Sequence, residues 1–289
     1  MRTTGTLFIC IAAAITLVGC RLFDREEPSP SLIYIPELVF TTDYATQGTA
    51  SADISEVWVY ANDRMMGAYE LPATVPVLAE GETRIEIFAG VKLAGNAGAR
   101  ESYPFYTTHL IFPNLQPLKV DTVVPIFEYV ENATILLVDD FESANVFGLD
   151  VNTQGTVDRT DDPELVFEGG RSLMVTIGND EGRCTIITNE QEYPLPQNRI
   201  CYLELDYRSN NSFAIGLEAT IPGNVQREFI SVIVPRADQI NTWQKLYIDL
   251  SAVTVLFENA TFELVIESVR DSGNSSATLF FDNIKMIHF

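Results

Sequence analysis

Positive charge is scarce in this chain. Lysine and arginine total 18 against 40 aspartates and glutamates, a formal net charge of −22. Nothing here could neutralise a row of phosphates, which excludes nucleic acid as a partner. The same shortage excludes attachment to a membrane through a basic patch. Histidine is nearly absent, with His109 and His288 the only two. No Gly-x-Ser-x-Gly, His-Glu-x-x-His, phosphate loop or Cys-x-x-Cys is present, so the common nucleophilic, zinc and nucleotide chemistries have no residues to run on. Long hydrophobic runs are missing too. The longest, Leu7 to Gly19, would extend roughly 20 Å as a helix, short of a bilayer core. No stretch after residue 20 sustains a helical period.

What is present begins with that short run. Arg2 precedes it, and "LVGC", Leu17 to Cys20, ends it. A positive start, a brief apolar segment and small residues before a cut are the build of a secretory signal. The four residues resemble a bacterial lipobox, in which the cysteine is lipidated and becomes the new N-terminus. The resemblance implies removal of residues 1–19, acyl chains such as palmitate on Cys20, and a lipid anchor on the outer membrane, facing the periplasm or the surface. Two or three chains hold firmly where one does not. The tether that follows, residues 20–31, is polar and proline-rich and reads as extended. Its Asp24, Glu26 and Glu27 resemble the acidic export signal of Bacteroidetes surface lipoproteins.

Strand signals fill the rest, and the expected fold class is all-β. Residues 32–130 read as a small β-sandwich. In "EVWVYANDRMMGAYEL" Val57 and Val59 alternate with Trp58 and Tyr60, and Asn62-Asp63 supplies a turn. Ile85 and Ile87 share a face in "ETRIEIFAG". The turn spacing resembles PEGA- or transthyretin-like surface modules. "VENAT", Val130 to Thr134, reads as the joint. Residues 134–289 hold a second series of strands without a long helix, which points to a two-sheet sandwich. Alternation turns Leu246, Ile248, Leu250, Phe262, Leu264 and Ile266 inward, and Tyr247, Asp249, Glu263 and Glu267 outward. It also places Asp282 on one face with Phe280 and Ile284.

"DDFES", "FEGGRSLMVTI", "NTWQKLYIDLS" and "LFFDNIKMI" occur in that order. Together they resemble the β-jelly-roll carbohydrate-binding modules of bacterial glycan-degrading systems. The resemblance implies a jelly roll, glycan binding without catalysis, and a structural Ca²⁺ held by Asp140, Glu142 and Asp282. Six to eight oxygens are what calcium asks for. Pyranose rings stack on exposed aromatics, so Tyr202, Tyr247 and Trp243 are the ligand candidates, with Glu204 beside Tyr202. The alternative is an assembly role, in which the sheets contact an envelope protein and bind no sugar. "ELDYRS" is similar to the Glu-x-Asp-x-x-Glu strand of jelly-roll glucanases, but Ser209 stands where the second glutamate belongs. One proton-transfer role is then empty, and no enzyme is expected. Cys184 and Cys201 flank "PLPQ". A hairpin there could join them as a disulfide, or they are buried thiols.

Overall fold

The computed structural model describes residues 28–289, apart from 97, 152, 180–181, 189–191 and 241. The leader, Cys20 and most of the tether lie outside the described residues. Strand accounts for 53% of the described residues and helix for 3%, which makes the fold all-β. No described helix is long and apolar enough to cross a membrane.

The N-terminal sandwich packs two sheets. One joins Val120–Thr122, Ser31–Ile35 and Ala73–Val77. The other joins Arg64–Glu70, Ile54–Ala61 and Ile85–Lys92, extended by Arg100–Ser102 and His109–Ile111. Alternation drives the pairing. Ile33, Ile35, Val75 and Val77 meet Val57, Val59, Ile85 and Ile87 in one core. The Asn62-Asp63 turn carries positive φ at both residues, 48° and 63°, the backbone of the tight hairpin that matches strand twist. Val130 to Ala133 then bridge to the second sandwich, tied by Val130 N–H to the Phe105 carbonyl.

The C-terminal sandwich winds as a jelly roll, with most successive strands stepping from one sheet to the other. Its first sheet runs Thr156–Thr160, Ser172–Ile177, Ala277–His288, Cys201–Ser209, Gln244–Asp249. Thr134–Asp139 also pairs with Ala277–His288. The second sheet runs Phe147–Leu149, Arg183–Thr188, Thr261–Val269, Phe213–Ile221, Asn224–Ile233. Leu246, Ile248, Leu250, Phe262, Leu264 and Ile266 all lie in the core between the sheets, as alternation assigned them.

One strand breaks the alternation. Phe281 and Ile284 both face the core, with Asp282 and Asn283 between them. Asp206 pairs with Asp282 and Glu204 with Lys285, so the last strand holds one residue more than its partner. Asn283 takes φ 49° to accommodate it. This bulge puts Asp282 opposite in facing to Ile284, which corrects the expectation that the two share a face.

Cys184 and Cys201 are on opposite sheets. Gly155 lies between Cys184 and the Thr176 carbonyl, and Thr176 pairs with Thr278. Cys201 pairs with His288. The two thiols therefore sit at opposite ends of one strand, roughly 33 Å apart at strand rise. A disulfide needs Cα atoms within about 7 Å, so the bridge considered from the sequence is ruled out by this placement. Burial pushes the Cys201 thiol up to about 12, so it is an unreactive core group.

Candidate functional site

The outward face of the first C-terminal sheet carries Tyr202, Glu204, Asp206, Lys245, Tyr247 and Lys285. Strand parity and the bulge at Asn283 bring these together. Most of this face meets the N-terminal sandwich, not water. Tyr202, Tyr247 and Ile287 belong to the same buried cluster as the N-terminal core.

Glu204 is fully buried there. Its two oxygens accept from Tyr103 Oη and Tyr129 Oη, each at 2.8 Å, and Lys245 Nζ stands 3.7 Å away. Tyr247 Oη lies 3.1 Å from Tyr106 Oη and accepts from Asp53 N–H at 3.0 Å. Tyr202 Oη donates to Glu101. Lys285 Nζ donates to the Gln47 and Thr49 carbonyls at 2.9 and 3.2 Å, and lies 4.9 Å from the centre of the Tyr129 ring. Burial holds Lys285 down to about 8. Burial, with the Glu204 charge next, pushes the Tyr103, Tyr106, Tyr129 and Tyr247 phenols well above their usual range. All four stay neutral donors at any physiological pH.

The orientation expected for Tyr202, Glu204 and Tyr247 is therefore found, since they point away from the sandwich core. Their exposure is not found. Their partners are the N-terminal tyrosines, and a ligand could reach them only by prising the sandwiches apart.

Trp243 differs. It sits at the end of the same face that the N-terminal sandwich leaves uncovered. Its ring lies 5.3 Å from Phe167 and 6.3 Å from Phe280, and Arg208 stacks over Phe280 at 5.5 Å. Trp243 and Phe167 wall a cleft of about 490 Å³ at the seam between the sandwiches. Asp206 and Lys245 form part of its lining, Ser51 and Asp53 line it from the N-terminal side, and Arg236 adds a cation to it. Ser51 Oγ donates to Asp206 at 2.7 Å, and Lys245 and Asn283 each approach its other oxygen at 3.4 Å. Burial raises the Asp206 carboxyl despite those three partners. The cleft thus offers an aromatic wall beside fixed donors and acceptors of both signs.

Sequence reasoning singled out Trp243 but missed Phe167, Arg236, Ser51 and Asp53. Phe167 lies inside the "FEGGRS" motif and could have been found there. Ser51 and Asp53 come from the other sandwich, and nothing local marks them.

The three residues expected to share calcium are held differently. Glu142 accepts from Gly170 and Arg171 N–H at 2.8 and 3.0 Å. A side chain at Gly169, where φ is +67°, would strike the Glu142 carboxylate. The pair of glycines in "FEGG" is thus a loop folded around a carboxylate. Asp140 accepts from Glu142 N–H at 3.2 Å. Asp282 accepts from Ser172 Oγ at 2.6 Å and from Asn283 N–H at 2.8 Å. Among the described residues no group of three or more histidines, cysteines, aspartates and glutamates is placed to hold a metal ion. Asp140, Glu142 and Asp282 as arranged do not fit calcium. Adding calcium to a chelated sample is expected to leave the melting temperature unchanged. A rise of several degrees would restore the metal reading.

No known family profile matches the chain, and no curated protein does. Solved structures of similar architecture include carbohydrate-binding modules of the β-sandwich superfamily described for promiscuous specificity. That match has 15% identity and a TM-score of 0.40, and covers 90% of this chain and 98% of the other. A family 11 carbohydrate-binding module from Clostridium thermocellum, solved with a β-1,3-1,4-mixed-linked tetrasaccharide, has 15% identity and a TM-score of 0.35, covering 53% and 94%. A family 61 module solved with β-1,4-galactotriose has 12% identity and a TM-score of 0.30, covering 48% and 85%. Likeness this loose says nothing of a ligand here, which has to come from the chain's own side chains.

Proposed function

We propose that this chain is a non-catalytic glycan-binding protein of the cell envelope, held to the outer membrane by acyl chains on Cys20, and that the glycan enters the seam cleft beside Trp243. The observation that carries the reading is the meeting of an aromatic wall, Trp243 and Phe167, with Asp206, Lys245 and Arg236 in one open cleft. Sugars ask for this combination: an apolar face for the ring's C–H groups and a few fixed polar groups for its hydroxyls. The cleft's volume lies in the ordinary range for small-molecule sites, about 300–1,000 Å³. Asp206 is already engaged by Ser51, Lys245 and Asn283, so it serves as an acceptor for a hydroxyl and not as a proton shuttle.

A glycan array on the soluble mature chain, followed by titration calorimetry, tests this. Trp243→Ala is expected to weaken binding at least tenfold, the equivalent of about 1.4 kcal/mol. Tyr202→Phe is expected to leave affinity unchanged, because Tyr202 lies under the N-terminal sandwich. Silence on the array, with a specific protein crosslink in cells, would replace this reading with the assembly role. Release of reducing ends from a bound glycan would overturn the non-catalytic part.

A further inference from the structure

The N-terminal sandwich has a second face that no other described residue covers. Ile33 and Ile35 point into the core, so Leu32 and Tyr34 point out. Leu32 pairs with Val120 on one side and Pro76 on the other. Beyond Val120 every second residue stays outward: Thr122, Val124 and Ile126. Ile126 pairs with Val39, which is also exposed. Val77 is buried while Leu78, next to it, is 69% exposed. Val120 and Ile126 are 56% and 51% exposed.

The strip is notable for what it lacks. The chain is 20% charged, yet none of these outward positions carries a charge. Glu37, Glu80, Lys119 and Glu128 fringe it. It holds one tyrosine, no tryptophan and no arginine, the residues that anchor most protein interfaces. It offers few hydrogen-bonding groups beyond the hydroxyls of Tyr34, Thr122 and Thr74, which pairs with Tyr34. A surface of this kind makes no directional demands and suits hydrocarbon.

The chain itself says where that hydrocarbon would be. Residues 28–30 lead into Ser31 at one end of the strip, and Leu118, 74% exposed, donates its N–H to the Pro30 carbonyl there. Cys20 lies eleven residues before Ser31, a reach of at most about 36–40 Å when fully extended. We infer that the outer face marked by Tyr34, Val39, Leu78, Val120, Val124 and Ile126 lies against the lipid bilayer, and that this contact holds the protein flat on the membrane. The inference rests on the lipid-anchor reading of Cys20. It adds an orientation: the N-terminal sandwich is down, and the seam cleft is carried by a body that cannot swing freely on its tether.

The test uses the full acylated chain in vesicles of equal parts phosphatidylethanolamine and phosphatidylglycerol. Val120→Cys and, separately, Val232→Cys each receive an environment-sensitive fluorophore. Val232 is 66% exposed and lies on the C-terminal sandwich. Native Cys184 and Cys201 are buried and stay unlabelled. Nitroxide carried on lipid acyl chains is expected to quench the label at 120 several-fold more than the label at 232. Adding Ile126→Glu and Leu78→Glu should bring the two labels level. If the chain stays on the vesicles while both labels report water, the inference fails and the anchor stands. If the label at 120 is shielded but not quenched, a protein covers the face and the inference fails. If the chain carries no acyl mass and does not sediment with vesicles, the anchor reading falls and takes the inference with it.

Discussion

Glu204→Ala is expected to cost about 3–5 kcal/mol and to split one cooperative unfolding transition into two. Removing one member of a buried charged pair leaves the other without its counter-charge, and costs of that size follow. Lys245 would retain only Asp206, at 3.4 Å. The hydroxyls of Tyr103 and Tyr129 would lose their acceptor, and each orphaned buried donor costs about 1–3 kcal/mol. At about 2–4 °C per kcal/mol for a chain of this size, the melting temperature should fall by about 10 °C or more. The splitting follows from where Glu204 sits. It belongs to the C-terminal sheet by chain and to the N-terminal core by contact, so its loss weakens the seam before it weakens either sandwich. Glu204→Gln keeps one acceptor oxygen and should cost about half as much. A cycle of Glu204→Ala with Tyr129→Phe should show a coupling of about 0.5–3 kcal/mol. Scanning calorimetry reads all of these. A single transition with an unchanged midpoint in Glu204→Ala would mean that the seam is not held by this carboxylate.

The seam also explains which parts of the protein could be read from its residues. Strand faces were legible where pairing is regular. Leu246, Ile248 and Leu250 alternate without interruption, and all three are in the core. The same rule failed three residues past Phe281, because a single extra residue at Asn283 reverses facing, and an asparagine in a strand does not announce a positive φ. The outward facing of Tyr202, Glu204 and Tyr247 was legible and their covering was not. Tyr103 and Glu204 are 101 residues apart, and no local pattern records that one sheet will lie on another. Charge gave a misleading cue at this face. Glu204, Asp206, Lys245 and Lys285 are ordinarily solvent residues, yet here they are all buried, each satisfied by partners that lie far away in the chain. The surroundings of the expected calcium ligands were hidden for a related reason. Glu142 has the right chemistry for a metal ligand, but the glycine loop that folds around it supplies N–H donors first.

Asp282→Asn is expected to stabilise the protein at pH 8 and to do nothing at pH 4. Asp282 is buried beside Ser172, Asn283 and Glu168, and Asp206 is its cross-strand neighbour. Burial raises its carboxyl to about 7 from an ordinary 3.8, more than the hydrogen bonds from Ser172, Asn283 and Glu168 lower it. The sign follows from proton binding. Below about pH 4 the group is protonated in both folded and unfolded chains. Between about 4 and 7 the folded chain keeps a proton that the unfolded chain has released, so raising the pH across that window removes stability. The asparagine variant carries no such proton. Its advantage over wild type should grow from zero near pH 4 to a plateau above pH 7, on the order of 2–4 kcal/mol at about 1.4 kcal/mol per pKa unit. Lys285 works in a different window and with the opposite sign. Burial lowers it from 10.5 to about 8, so the folded chain gives up that proton first, and stability rises with pH between about 8 and 10.5. The two windows do not overlap. Urea unfolding of wild type and Asp282→Asn at pH 4, 6 and 8 therefore isolates the carboxylate, and a difference that stays flat across those values would show that Asp282 is ionised in the folded protein throughout.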